Sequence, residues 1–274
     1  MESPNILYAF LLTAFAGLST GIGSTIAFWA RSTNTRLLTV SLGFSAGVMI
    51  YISFVEIFTE ARLTFVESFG EFNGNLYTIT AFFGGILFIA LIDKFIPSFE
   101  NPHEMHKLEE MDNNKKNQVN SKLYRVGLFT ALAVAIHNVP EGIATFMSAI
   151  HDLRVGLAIA VAVAIHNIPE GIAVSVPIYF ATGSRKKAFW YSFLSGLSEP
   201  VGAFLAYLLL MPLFNSENSG IIFGASMAAV AGIMVFISID ELLPSAEEFG
   251  KHHWGVWGLI GGMFVMAVSL LLLN

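Results

Sequence analysis

Long apolar stretches recur along this chain, separated by short polar breaks. Eight of them, near 5–30, 37–58, 76–97, 123–150, 153–180, 187–211, 219–243 and 254–273, reach the roughly 20 mostly apolar residues that a helix needs to cross a bilayer. The longest polar segment runs from Ser98 to Lys122 and divides three stretches from five. Its run EEMDNNKKNQVNSK is too polar to bury anything and reads as a mobile loop. The pattern predicts an all-α polytopic membrane protein: one transmembrane domain over residues 1–274, built of eight helices, with the polar loop at about 98–122.

Composition agrees with the pattern. Apolar residues make up 55% of the chain and charged residues 12%, mean hydropathy is +0.67, and both lie far from soluble averages. The 24 glycines suit close helix packing in lipid. The first stretch follows MESPN, which lacks the basic region of a secretory signal, so it is expected to stay as a helix. There is no cysteine, which excludes thiolate metal sites and disulfides. Charge placement then orients the chain. With the N-terminus outside, 12 of the 14 basic residues fall on the cytoplasmic side, namely Arg31, Arg36, Lys94, Lys107, Lys115, Lys116, Lys122, Arg125, Arg185, Lys186, Lys187 and Lys251. Only Arg62 and Arg154 fall outside. The positive-inside rule therefore predicts both termini outside and the long loop in the cytosol.

Within this apolar sequence one phrase is written twice. Ala133–Ala144 reads AVAIHNVPEGIA and Ala162–Ala173 reads AVAIHNIPEGIA, identical at every position but one. Ionisable groups at membrane depth are costly and mark ion or substrate paths. Residues four apart share a helix face, so His137 points with Glu141 and His166 with Glu170, with Asn138 and Asn167 alongside. Pro140 and Pro169 cannot donate a backbone hydrogen bond and are expected to kink the fourth and fifth helices, freeing the carbonyls of Ile136 and Ile165. The two helices run antiparallel and both motifs sit near mid-helix, so they meet at one depth, as sites do in transporters built on inverted elements. Glu199 adds an acid at that level from the sixth stretch. Three carboxylates, two imidazoles and two amides without thiolate suit Zn²⁺, Fe²⁺, Mn²⁺ or Co²⁺ and disfavour Cu⁺. Glu141 and Glu170, shared between the faces, can bridge two ions.

Weaker signals surround this constellation. Met49 is either a soft ligand or ordinary packing. Glu56 and Glu60, toward the outer end of the second stretch, and Asp240 and Glu241, toward the inner end of the seventh, either line an entrance and an exit or reach an interface. Asp93 and Lys94 read as a helix-end pair. His103 and His106 in the long loop either gather metal or are incidental to a solvated linker. His252 and His253, beside Lys251, read as interface residues.

HNVPEG and HNIPEG on the fourth and fifth of eight spans resemble the ZIP family of divalent-metal transporters. SLGFSAGVMIYISFVE, ATGSRKKA, SGLSE and AAVAGIMVFISIDELLP are similar to its ZupT-like bacterial branch. The resemblance implies uptake of zinc, and also iron, manganese, cobalt or cadmium, across the cytoplasmic (inner) membrane, with no prosthetic group. It implies one metal held by Glu141, His166 and Glu170 with His137 nearby, and a second held by Asn138, Glu141, Asn167, Glu170 and Glu199. Family members are thought to move the first, fourth, fifth and sixth helices against the rest, often as a homodimer. The loop lacks the long histidine tract of many relatives, which weakens a role for it in sensing.

Other functions leave traces that this sequence lacks. No GxxxxGK[ST] appears, so the chain carries no P-loop ATPase. An intramembrane metal-dependent hydrolase would need an open metal position and a spare base, yet HExxH is absent and the acids all read as ligands. A metal exporter or a sensor would use the same ligands, because residues do not encode the direction of flux. The expected partners are divalent ions and lipid, with no nucleic acid.

Overall fold

The computed structural model describes residues 6–26, 35–95, 116–213, 218–249 and 252–273. Among them there are helices and turns and no strand. They are α1 (Ile6–Ile26), α2 (Thr35–Ile52), α3 (Phe58–Phe69), α4 (Glu71–Phe95), α5 (Lys116–His151), α6 (Leu153–Thr182), α7 (Arg185–Gly196), α8 (Ser198–Leu209), α9 (Ser219–Ile237), α10 (Leu243–Phe249) and α11 (His252–Leu273). A π turn, Ser53–Ile57, joins α2 to α3, and a second, Ser238–Leu242, joins α9 to α10.

Seven described segments are long and apolar enough to cross a membrane. The predicted stretch 123–150 lies within α5, which has 36 residues and continues as helix through Pro140. Several boundaries differ from the sequence pattern. The second span does not stop near 58 but runs from Thr39 to Phe69, and the seventh runs on to Glu247. Charge at Glu60 and Arg62 does not end the helix, because Arg62 Nε donates to Asn75 Oδ1 of α4 at 2.7 Å. The sixth stretch is two helices that meet at Leu197. Residues 116–122 of the expected loop form the first turns of α5. The rest of that loop, His103 and His106 included, lies outside the described residues.

Local chemistry sets the reversals. Gly70, at φ 77°, separates α3 from α4, a left-handed-side φ that a side chain resists. Asp152 caps α6 by accepting from Arg154 N at 2.7 Å. Gly183 ends α6 at φ 65° and Ser184 caps α7, accepting from Lys187 N at 3.3 Å.

Close packing reveals an internal two-fold relation. Ser45–Phe58 reads SAGVMIYISFVEIF and Val230–Leu243 reads VAGIMVFISIDELL. Ala46/Ala231, Gly47/Gly232, Met49/Met234, Ile52/Ile237, Ser53/Ser238 and Glu56/Glu241 are identical pairs, and both segments contain the π turn. A Cβ on Gly47 would strike the Leu259 carbonyl of α11, and one on Gly232 the Phe82 carbonyl of α4. The first and sixth spans match in the same way. A Cβ on Gly23 would strike the Ile168 carbonyl and one on Gly202 the Val139 carbonyl, equivalent residues of the doubled phrase. Gly17 and Gly196 each face the other's carbonyl, as a contact on the axis must.

These close contacts fall into three sets. Glycines join α1, α5, α6, α7 and α8 to one another, α2, α10 and α11 to one another, and α3, α4 and α9 to one another; the π turns run α2 into α3 and α9 into α10, which ties the last two sets together. Among the described glycines none bridges the first set to the other two, which meet it where α2 packs on α6 and α5 on α9. The doubled phrase lies on that boundary.

Candidate metal centre

His137, Asn138, Glu141, His166, Asn167, Glu170 and Glu199 are all fully buried. Helix geometry explains how the two phrases meet. His and Glu four residues apart stand about 6 Å apart along the axis, so antiparallel α5 and α6 set each His opposite the other helix's Glu. His166 Nε2 lies 2.9 Å from Glu141 Oε1, and His137 Nε2 lies 3.4 Å from Glu170 Oε2. Ligand atoms of Glu141, His166 and Glu170 all lie within 4.8 Å of one another. At such spacing two carboxylates repel by about 4 kcal/mol if the effective dielectric constant is about 20. A divalent cation among them turns that repulsion into attraction.

The amides lie beside this cluster. Asn167 Nδ2 donates to Ala16 O at 2.9 Å and makes a short contact with Glu199 Oε1. Its Oδ1 and Glu199 Oε2 are buried without a hydrogen-bond partner, so two oxygens are free to bind a cation. Asn138 Nδ2 faces Ser195 O at 3.4 Å, which leaves its amide oxygen 3.2 Å from Glu141 Oε2. Two acceptors that close repel unless a cation lies between them; turning the amide end for end would instead make a hydrogen bond.

Two residues outside the doubled phrase enter the centre. Ser45 of α2 donates to Glu170 Oε1 at 2.8 Å. Glu241 brings its Oε2 to 3.7 Å from His137 Nδ1. Glu241 lies toward the inner end of its span, as the sequence pattern places it, and from the π turn its side chain still reaches the centre. It is nearly buried, whereas the adjacent Asp240 is exposed. Glu56, its equivalent on the other π turn, is also nearly buried, and α3 extends 12 residues beyond that turn. Met49 is buried in the main apolar core. The signal that could have singled out Glu241 is the second repeat, AGxMxxISxxE, which hides in apolar sequence because only its last residue is charged in both copies; Ser45 precedes the repeat and pairs with Val230, so no sequence signal marks it.

Comparison with known proteins shows the family of the chain. Residues 96–270 match the family model described as ZIP Zinc transporter. The zinc transporter ZupT of Streptococcus mutans is 60% identical over 270 residues, covering 98% of this chain and 99% of the relative. Those of Lysinibacillus sphaericus and Clostridium perfringens are 63% and 57% identical, covering 98% of this chain and 98% and 96% of the relatives. ZIP proteins are transporters rather than enzymes. A match over most of the chain, joined to full-length identity near 60%, makes this membrane protein a member of the ZIP zinc transporter family.

Proposed function

We propose that the chain takes divalent transition-metal ions, zinc foremost and also iron, manganese, cobalt or cadmium, across the bacterial cytoplasmic membrane into the cell. The ions would pass through a two-metal centre between α5, α6 and α8. The observation that carries this reading is the crosswise His–Glu pairing, buried at the axis of the two-fold relation and on the boundary between the first glycine-packed set and the other two. One ion would use Glu141, His166 and Glu170 with His137 beside it. The other would use Asn138, Asn167 and Glu199, with Glu141 and Glu170 bridging. Mixed nitrogen and oxygen ligands give the moderate affinity that exchange requires.

Movement is set by the packing. Substrate sites at a repeat interface are exposed alternately when one set of helices rocks against the other. Sliding is cheapest where neither a carbonyl locked against a glycine nor a continuous helix ties the two sides, which here is the boundary that holds the ligands. With the termini outside, Glu56 belongs to the outer approach and Glu241 to the inner exit, where it would receive the ion from His137. Met49 packs on that route. A single transporter domain covers the chain in this reading, and a homodimer is its expected assembly.

Entry of radioactive zinc into sealed vesicles holding the purified protein tests the proposal, with iron, manganese, cobalt and cadmium as competitors. Saturable entry that the competitors inhibit supports it. Zinc that binds stoichiometrically but stays on its original side overturns it and favours a sensor or hydrolase.

A further inference from the structure

The two halves of the centre share a sequence but hold different arrangements. The internal two-fold exchanges α5 with α6 and α2 with α9, so His137 corresponds to His166 and Glu241 to Glu56. His137 Nδ1 makes no hydrogen bond and faces Glu241 Oε2 at 3.7 Å. His166 Nδ1 is instead 3.2 Å from the carbonyl of Ala162, one turn back on its own helix. Ala133 stands at the matching place on α5. Each imidazole therefore has the same two choices, its own helix or the glutamate of a π turn, and the structure shows one of each.

We propose that Glu56 and His166 form a second station for the transported ion, on the outer side, made in the opposite state of the transporter. In that state His166 Nδ1 leaves Ala162 for Glu56, and His137 Nδ1 turns back to Ala133. The ion that enters is taken by the Glu56 carboxylate and the His166 imidazole, then passed to Glu141 and Glu170. The Glu241–His137 pair releases it by the reverse sequence. This second station rests on the transport reading of the centre.

Three observations carry it independently of any pathway drawn by depth. Glu56 and Glu241 end the same repeat and sit at the same place in a π turn. Each π turn packs reciprocally, Ser238–Leu242 against α2 and Ser53–Ile57 against α9. Such a turn holds an extra residue and rotates the next helical segment by roughly 100° relative to a plain helix, so two matched π turns give both glutamates the same aim. Glu56 is nearly buried, which an acid would not be if its role were to meet water.

The absence of cysteine makes the test clean. Glu56→Cys with His166→Cys, and for comparison Glu241→Cys with His137→Cys, are treated in membranes with a short bifunctional methanethiosulfonate, because an imidazole and a carboxylate in contact set their Cβ atoms farther apart than a disulfide spans. Intact mass after denaturation then separates one bridge across the pair from two pendant adducts. Closure of both pairs is expected, because both states are visited. Closure of the 241–137 pair alone overturns the proposal. On the otherwise native chain, Glu56→Gln should slow zinc uptake by about tenfold, the scale of losing a group that supports a metal ligand, with equilibrium zinc binding at the centre unchanged. Uptake at the native rate in Glu56→Gln would also overturn it. Failure of the transport reading has a different signature: wild-type vesicles move no zinc although the 56–166 thiols are still bridged.

Discussion

Ser45→Ala removes one hydroxyl and tests whether α2 sets the geometry of the metal centre. Ser45 donates to Glu170 Oε1 at 2.8 Å, and both side chains are fully buried. A hydrogen bond to a charged acceptor contributes about 1.5–3 kcal/mol. With roughly 1.4 kcal/mol per decade of affinity, its loss should weaken zinc binding about 10- to 100-fold, the range typical of groups that orient a metal ligand. The fold should tolerate the change, because the equivalent position on α9 is Val230. The assay is direct zinc titration of purified protein beside initial uptake rates over a range of zinc concentrations. Half-saturation should rise at least about tenfold in Ser45→Ala and return toward the native value in Ser45→Thr, which keeps the hydroxyl. An unchanged zinc affinity in folded Ser45→Ala would refute the claim that this bond holds Glu170 ready for metal.

The same geometry dictates three further outcomes. Asn138→Ala and Glu199→Ala each touch one of the two ions, so each should impair transport partially and change the order of metal preference in competition uptake; total loss in both would speak against two separable sites. Gly142→Ala would drive a Cβ into the Glu199 carbonyl, whereas nothing lies within 4 Å of a Cβ on Gly84. Overpacking against backbone costs about 1–3 kcal/mol or more, so thermal unfolding in detergent should come at lower temperature for Gly142→Ala and not for Gly84→Ala. Uptake should fall as the medium is acidified, because protons compete with metal for the lone pairs of His137, His166 and the carboxylates; a pH series of zinc titrations, free of any coupling to flux, checks the sign.

What could be read from sequence was what polarity exposes. His137, Asn138, Glu141 and their copies stood out because each is costly in lipid, and Glu199 for the same reason. Their meeting came from two periodicities, four residues along a helix and antiparallel order between helices. Ser45 was invisible because a serine costs little anywhere in a membrane helix, and Ser41 and Ser53 look no different. The contact of Glu241 with His137 was hidden for two physical reasons. Polar residues near a helix end suggest a boundary, although α9 and α10 continue past it. A face counted at 3.6 residues per turn also fails across a π turn, which no local pattern announced. The longer comparison of Ser45–Phe58 with Val230–Leu243 recovers the symmetry that explains Glu241, whereas Ser45 pairs with Val230 and stays unmarked. The polar run before Leu123 misled in the opposite sense, since residues 116–122 are helical despite their solubility.

The most direct test of the metal centre as a transport site is zinc content and zinc flux measured in the same vesicles, wild type beside Glu170→Ala. Glu170 touches Ser45, His137 and the Glu141–His166 cluster, so its loss should remove both bound zinc and saturable uptake. Uptake at the wild-type rate in the Glu170→Ala vesicles would contradict the account, because the ion would then be crossing somewhere else.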